Sequence, residues 1–160
     1  MGQKELDKIK EFLDKNKVKY KLVSHKKVHT SEEASKERNV PLSQGVKSLL
    51  LITHEKEYVL CLVSGDKKIK LKELRGILNT KDIKLADHEE VLRITGCEVG
   101  SVHPFGNLYY KEVKILMDKE VLRNETIDFS VGTFVNSVEM KLKDFIKILK
   151  PSIKEFTVEK

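Results

Sequence analysis

The sequence predicts a single α+β domain over residues 1–160. Its 160 residues are the usual size of one domain. Segments with the helical spacing of apolar residues are interspersed with short segments of strand character along the whole chain. No linker, low-complexity tract or internal repeat divides it. Since helices and strands are mixed without a strict alternation, the α+β class is favoured over a regular βαβ arrangement.

The first predicted helix occupies residues 1–17, where apolar side chains recur at helical spacing (Leu6, Ile9, Phe12 and Leu13). Residues 19–24 alternate and predict a short strand. Thr30 followed by Glu33 is a capping-box pair, which predicts that a short helix begins there and covers 31–39.

The middle of the chain predicts a buried β-hairpin. Residues 46–53 and 57–63 are dense in Leu, Val and Ile and are joined by a polar tip. A helix is expected over 71–78 and a short strand over 83–86. The next helix, from Asp87 to Gly96, opens with a second capping box and ends at a glycine.

The last third predicts more strands than helices. Strands are expected at 113–117, 127–131 and 137–142, with a helical turn at 118–122 after the first of them. A closing helix around 145–149 is predicted to stop at the following proline.

The composition describes a highly charged globular protein, with 39% apolar and 35% charged residues. No apolar run approaches the roughly 20 residues that span a bilayer, so no membrane partner is expected. The net charge is +6, and residues 1–30 alone hold nine lysines against four acids. Such a basic flank can attract a polyanion such as RNA, although a solvated lysine-rich surface is the simpler interpretation.

The cysteines and histidines favour neither a metal site nor a disulfide. Cys61 and Cys97 are the two cysteines, and reduced thiols in a cytoplasmic protein are expected. His25 and His29 lack a carboxylate to complete a zinc site, so neither metal nor cofactor is predicted. Cys97 with His103 could form a nucleophile and base, but Cys97 is better interpreted as a small packing residue.

Two features point to chemistry. The segment Gly100–Gly106 (Gly-Ser-Val-His-Pro-Phe-Gly) predicts a rigid loop, whose backbone N–H groups could stabilise an oxyanion or bind a phosphate. Lys47 lies near the start of an otherwise apolar strand. Its side chain either extends to solvent or points into a cleft, where it would hold an anion as a compact charge.

These features occur in an order that resembles the YbaK/ProX family, the freestanding relatives of the editing domain of bacterial prolyl-tRNA synthetases. The resemblance covers about residues 18–150. It rests on Thr30-Ser-Glu-Glu-Ala, Val46-Lys-Ser-Leu, Ser64-Gly-Asp and, most specifically, the Gly-x-x-x-Pro-Phe-Gly loop that ends at Gly106.

The resemblance implies a mixed β-sheet surrounded by helices and hydrolysis of the ester bond of a mischarged aminoacyl-tRNA, without a metal or cofactor. A small amino acid on tRNA for proline, or on a related tRNA, is the expected substrate. A non-catalytic relative that only binds a tRNA end or a nucleotide is the alternative. An aminoacyl-tRNA synthetase is a candidate partner, and the protein is expected to be a monomer or homodimer.

The resemblance also implies site residues. Lys47 would hold the phosphate of the terminal adenosine or orient the ester, and the amides of Gly100 and Ser101 would face the ester carbonyl. Further substrate contacts are expected from other positions (Thr30, Val102, His103, Pro104, Phe105, Gly106, Gly132 and Asn136).

Two positions depart from the relatives that clear alanine. Asn136 stands where their Gly-x-x-x-His motif has histidine, counted from Gly132, and His103 replaces a small or hydroxyl residue. These differences point away from alanine and leave cysteine, serine, threonine or another small residue open.

Overall fold

A computed structural model describes residues 2–160 and contains five α-helices within that range. The helices are α1 (Gln3–Lys15), α2 (Ser31–Arg38), α3 (Leu71–Leu78), α4 (His88–Thr95) and α5 (Leu142–Leu149). The predicted N-terminal helix is present as α1, but it is shorter than the expected 1–17: Asn16 caps its C-terminal end, Lys17 has a positive φ, and Met1 lies outside the described residues. Both predicted capping positions are confirmed, because Thr30 and Asp87 each accept a hydrogen bond from the amide three residues later.

Ten strands form three sheets within residues 2–160. They are β1 (Tyr20–Ser24), β2 (Val46–Thr53), β3 (Tyr58–Ser64), β4 (Lys67–Ile69), β5 (Ile83–Leu85), β6 (Lys114–Asp118), β7 (Thr126–Ser130), β8 (Asn136–Lys141), β9 (Ser152–Lys154) and β10 (Thr157–Glu159). The mixed sheet has the order β5-β2-β3-β6-β9, in which β3, β6 and β9 are parallel neighbours. An antiparallel sheet has the order β1-β8-β7, and β4 pairs with β10.

The mixed sheet separates two hydrophobic cores. Alternate residues of β2 and β3 face opposite sides, as the strand period requires. Leu50 and Leu60 belong to the larger core, which also holds side chains of α1, α4, α5 and the three-stranded sheet. Leu51 and Cys61 belong to the smaller core, which α3 and Phe156 cover. The α+β class with a mixed sheet is therefore confirmed.

The sequence pattern missed three short strands. The strands β4, β9 and β10 have three residues each, too few to show an alternation. The last two follow Pro151, where the chain was expected to stop its regular structure. Instead β9 joins β6 at the edge of the mixed sheet, and β10 returns to β4. This C-terminal segment brings Lys160 near β2.

Within the described range, no helix is long and apolar enough to cross a membrane.

Candidate active site

A cavity of about 520 Å³ lies beside the first half of β2. Its walls come from α2, the segment before it, β7, the loop after α4 and the end of the chain. Space for the cavity arises because β5 pairs only with the last three residues of β2 and the amide of Ala86 with Leu50, which leaves residues 46–49 without a partner from β5. A volume of this size is in the range of small-ligand sites.

Lys47 lines this cavity. Its side chain is half-buried, and its Nζ donates a hydrogen bond to the carbonyl oxygen of Lys67, 2.8 Å away, on β4. An ammonium group has three donors, so two remain for a ligand. Burial lowers the pKa of Lys47, and the nearby ammonium of Lys160 lowers it further. The sequence-based expectation that this lysine points into a cleft is supported by its place in the cavity wall.

Three other charged or polar residues line the cavity with Lys47. Lys160 also lines it and forms an ion pair with Glu32, at the start of α2. Thr30 lines the cavity as expected, but its hydroxyl caps α2: it accepts from the amide of Glu33 (3.1 Å) and donates to that side chain (3.2 Å). Thr30 therefore shapes the wall through its helix cap.

The first half of the Gly100–Gly106 loop reaches the cavity. Gly100 and Val102 both line it, and Gly100 has φ of +95°, a conformation that favours glycine. Neither residue's amide N–H has a hydrogen-bond partner among residues 2–160. Ser101 differs, because its N–H donates to the carbonyl of Glu98 (2.9 Å) and its side chain is buried outside the cavity lining. The available pair of amides is therefore Gly100 with Val102, and this corrects the expected pair of Gly100 with Ser101.

The second half of the loop belongs to the core. His103, Pro104, Phe105 and Gly106 are all buried, and none lines the cavity. The Nδ1 of His103 accepts a hydrogen bond from the amide of Phe105 (3.0 Å), and burial lowers its pKa to about 3. Phe105 is fully buried in an aromatic cluster. We therefore remove these four residues from the substrate-binding set.

Gly132 and Asn136 also lie outside the cavity lining. Gly132 supports the loop instead, because its amide donates to the carbonyl of Ser101 (2.9 Å). Asn136 begins β8, where its side chain accepts from Thr133 (2.8 Å) and donates to Ser24 (3.3 Å). The amide of Gly132 and the side chain of Asn136 thus have partners within the protein, and they too leave the substrate-binding set.

The arrangement disfavours the alternative of a cysteine–histidine dyad. Burial raises the pKa of Cys97 to about 11, whereas burial lowers that of His103, so a thiolate and a basic imidazole are both disfavoured. The imidazole of His25 is bonded to Ser137, and that of His29 stacks against Phe134. Within residues 2–160, no three His, Cys, Asp or Glu side chains are placed to hold a metal ion.

Sequence reasoning missed several cavity residues. Ser48 lines the cavity, and its buried Oγ has no hydrogen-bond partner in the part of the chain that the structure describes. Arg38 and Asp128 also line it as a buried ion pair, and Arg38 donates to Ser137 as well. A hydroxyl next to Lys47 was visible in the sequence. The pairing of residues 38 and 128 depends on the tertiary fold, so no local pattern could reveal it.

A profile of the aminoacyl-tRNA editing domain family matches residues 25–148. Because the match covers most of the chain, the protein belongs to this family, and the resemblance found in its sequence is confirmed. The match ends before β9 and β10, so the segment that brings Lys160 to the cavity lies outside it.

The chain is similar to a protein named multifunctional Ser/Thr-tRNA deacylase ProXp-y from Escherichia coli K12. The two are 28% identical over 141 residues, which cover 86% of this chain and 83% of that protein. A proline–tRNA ligase of Aquifex aeolicus is 33% identical over 135 residues, which cover 73% of this chain and 23% of the ligase. Among solved structures, one described as a proposed trans-editing enzyme for prolyl-tRNA synthetase superposes with a TM-score of 0.83. It is 20% identical, with 96% of this chain and 97% of that chain covered, so it supports the fold.

Proposed function

We propose that this protein is a trans-editing deacylase, which hydrolyses the ester bond of an aminoacyl-tRNA carrying a small amino acid. The observation that carries the proposal is that one cavity is lined by Lys47, which is half-buried, and by Gly100 and Val102, whose amides have no partner among residues 2–160. Family membership supplies the class of substrate, and the deacylase relative supports the reaction.

Some of the cavity groups bind the substrate, and others take part in the chemical step. Lys47, with Lys160 beside it, binds a phosphate of the tRNA 3′ end through its free donors. The N–H groups of Gly100 and Val102 stabilise the negative oxygen of the tetrahedral intermediate. Loss of one such donor in other hydrolases costs about 2.7–4 kcal/mol. The oxygen of a water molecule attacks the carbonyl carbon of the ester, the bond from that carbon to the ribose oxygen breaks, and a proton of the water passes to the ribose oxygen, so the products are the free amino acid and the tRNA with a free ribose hydroxyl.

Ser48 is the residue from which we infer which amino acid the site prefers. Its unpartnered Oγ can exchange a hydrogen bond with a polar substrate side chain, and a site built this way rejects analogues that lack the polar group. The relative named Ser/Thr-tRNA deacylase is consistent with a hydroxyl-bearing substrate. We therefore place serine and threonine ahead of alanine among the candidate amino acids.

The ligase relatives support tRNA for proline, or a related tRNA, as the carrier and a synthetase as a partner. One chain supplies all the cavity residues described above, so we propose that a monomer is active. The cytoplasm is the proposed location, because charged tRNA is used there.

The reason for considering a non-catalytic tRNA-binding relative no longer holds. The main support for that alternative would be the two departures from the relatives, His103 and Asn136, and both lie outside the cavity lining. Hydrolysis therefore remains the preferred function.

The test is single-turnover hydrolysis of tRNA for proline charged in turn with proline, alanine, serine, threonine and cysteine. We expect the Lys47→Met variant to react about 100-fold more slowly than the wild type on the best substrate, a loss of about 2.7 kcal/mol. The matched control is Lys72→Met, an exposed lysine on α3, which should react at the wild-type rate.

Two outcomes would contradict the proposal. Equal rates for Lys47→Met and the wild type would exclude the site assignment. If the wild type hydrolyses none of the substrates but binds the tRNA, the binding function would be established instead.

A further inference from the structure

Six lysines surround a second concavity of about 520 Å³, on a part of the surface that the proposed active site does not use. We call it the lysine pocket, and its cations are Lys17, Lys19, Lys141, Lys143, Lys147 and Lys150. All six are exposed. A single carboxylate, Asp144, lies among them, so the lining carries a net charge of +5 in a chain whose net charge is +6.

These lysines are not neutralised by the protein. None of the six forms a salt bridge with another residue of the described range 2–160, whereas several lysines elsewhere do. Helix ends explain part of the cluster, because Lys147 and Lys150 lie at the C-terminal end of α5, where cations are favourable. Lys141 and Lys143 flank its N-terminal end, where the helix dipole disfavours a cation. A bound anion would remove that penalty.

The fold, rather than the sequence, assembles the cluster. The first strand of the antiparallel sheet begins at Tyr20, which pairs with Met140 near the end of β8. This register brings Lys19 and Lys141, which are 122 positions apart, to the same end of the sheet. The basic N-terminal flank predicted from the sequence therefore forms only one side of the pocket.

A line of exposed lysines connects the pocket with the active-site cavity. The strand β1 lies at the edge of its sheet and carries Lys21, and Lys26 and Lys27 follow it. The chain then enters the cavity wall at Val28. The strand β7 also runs from the lysine pocket to the active-site cavity. Thr126, at one end of β7, pairs with Lys141 of the pocket, and Ser130, at the other end, lines the cavity. Four residue steps along the strand separate them, a distance of about 14 Å at the usual rise per residue.

We propose that the lysine pocket binds the phosphate backbone of the tRNA acceptor stem while the 3′ end occupies the active-site cavity. The identity of the RNA rests on the proposed function, whereas the polyanion class rests on the unpaired lysines and their concave arrangement. Contacts of lysine with phosphate position a nucleic acid without reading its bases. The pocket therefore supplies affinity and orientation for tRNA in general, and the cavity supplies the choice of amino acid.

The test uses uncharged tRNA for proline, so that binding is measured without catalysis. Affinity is determined from 50 to 200 mM salt for the wild type and for the triple variant Lys141→Gln, Lys143→Gln and Lys147→Gln. Each lost phosphate contact makes the plot of log affinity against log salt shallower by about 0.7–0.9. We expect a slope shallower by about 2–3 and an affinity at 50 mM salt that is lower by about tenfold or more.

The matched control removes the same charge elsewhere, in the triple variant Lys72→Gln, Lys81→Gln and Lys114→Gln. These three lysines are exposed and line neither cavity. We expect their slope to stay within about one of the wild-type value, because they make no phosphate contact. Thermal unfolding monitored by circular dichroism confirms that both variants are folded.

Equal slopes for the two triple variants would overturn the inference and leave the lysines as a solvated surface or a site for another partner. The result is separable from catalysis, because Lys47→Met should lose hydrolysis but keep most of the salt dependence. A wild type that hydrolyses nothing, with a slope that still depends on the lysine pocket, would contradict the proposed function and support this inference.

Discussion

The two halves of the Gly100–Gly106 loop have the same glycine-rich character in the sequence but different roles in the structure. Gly100 and Val102 line the proposed active-site cavity, and their amides have no partner in the described part of the chain. His103 and Phe105 are buried in the core, and the Nδ1 of His103 accepts a hydrogen bond from the amide of Phe105 within the loop. The difference teaches that a motif can mark a site without all its residues touching the ligand: the buried half anchors the half that faces the cavity.

The largest expected effect is on stability, in the buried half. The ring of Phe105 packs against three phenylalanines, with centroids 5.5 Å from Phe12 and Phe129 and 5.7 Å from Phe145. We expect Phe105→Ala to lower the free energy of unfolding by about 3–5 kcal/mol in urea denaturation. The control Leu122→Ala, at an exposed position, should change it by less than about 0.5 kcal/mol. Similar losses for both variants would refute the anchoring role.

The next effect is a pH dependence of stability. The unfolded chain protonates His103 with a pKa near 6.5, but burial lowers the folded pKa to about 3. Below pH 6.5 His103 is therefore protonated in the unfolded state but stays neutral in the folded state. The free energy of unfolding falls as the pH falls. At pH 5 this loss is about 2 kcal/mol.

The variant His103→Asn isolates that contribution, because its side-chain oxygen can still accept from the amide of Phe105 and does not titrate. We expect its free energy of unfolding to fall between pH 7.5 and pH 5 by about 2 kcal/mol less than that of the wild type. If the free energy of unfolding depends on pH in the same way for His103→Asn and the wild type, His103 is solvated. The second half of the loop would then not be the buried half.

The smallest expected effect lies at the cavity mouth. The side chain of Lys160 is partly exposed and paired with Glu32, so its attraction for a phosphate is screened by solvent. We expect Lys160→Met to raise the KM for aminoacyl-tRNA about twofold to fivefold, with kcat unchanged. A fall in kcat without a change in KM would show that Lys160 contributes to the chemical step.

How much the sequence could predict depends on the range of the interactions. The starts of α2 and α4 were predictable because Thr30 and Asp87 act within one helical turn. Lys47 was recognisable because a charge interrupts an apolar strand. The burial of His103 and the partnerless Ser48 were not predictable, since both depend on which distant elements cover them. The lysine pocket likewise required the register of β1 with β8.

A matched pair of glycine variants tests the central claim that the cavity-facing half of the loop belongs to the active site. Gly100 lines the cavity at a positive φ, and an added Cβ there would approach the ring of Phe134 at 3.2 Å and the carbonyl oxygen of His29, another cavity residue, at 3.4 Å. An added Cβ at Gly106 would meet Val113 at 2.8 Å, inside the core. Both variants should be less stable than the wild type, the second by about 1–3 kcal/mol.

The deciding measurement is the single-turnover rate of aminoacyl-tRNA hydrolysis by both variants, at a temperature where urea titrations show each to be folded. We predict that Gly100→Ala is slower than the wild type by about 10-fold to 100-fold, because the oxyanion donors are displaced. Gly106→Ala should keep a rate within about twofold of the wild type, because its strain is confined to the core. Equal rates for the two variants, or a larger loss for Gly106→Ala, would contradict the account.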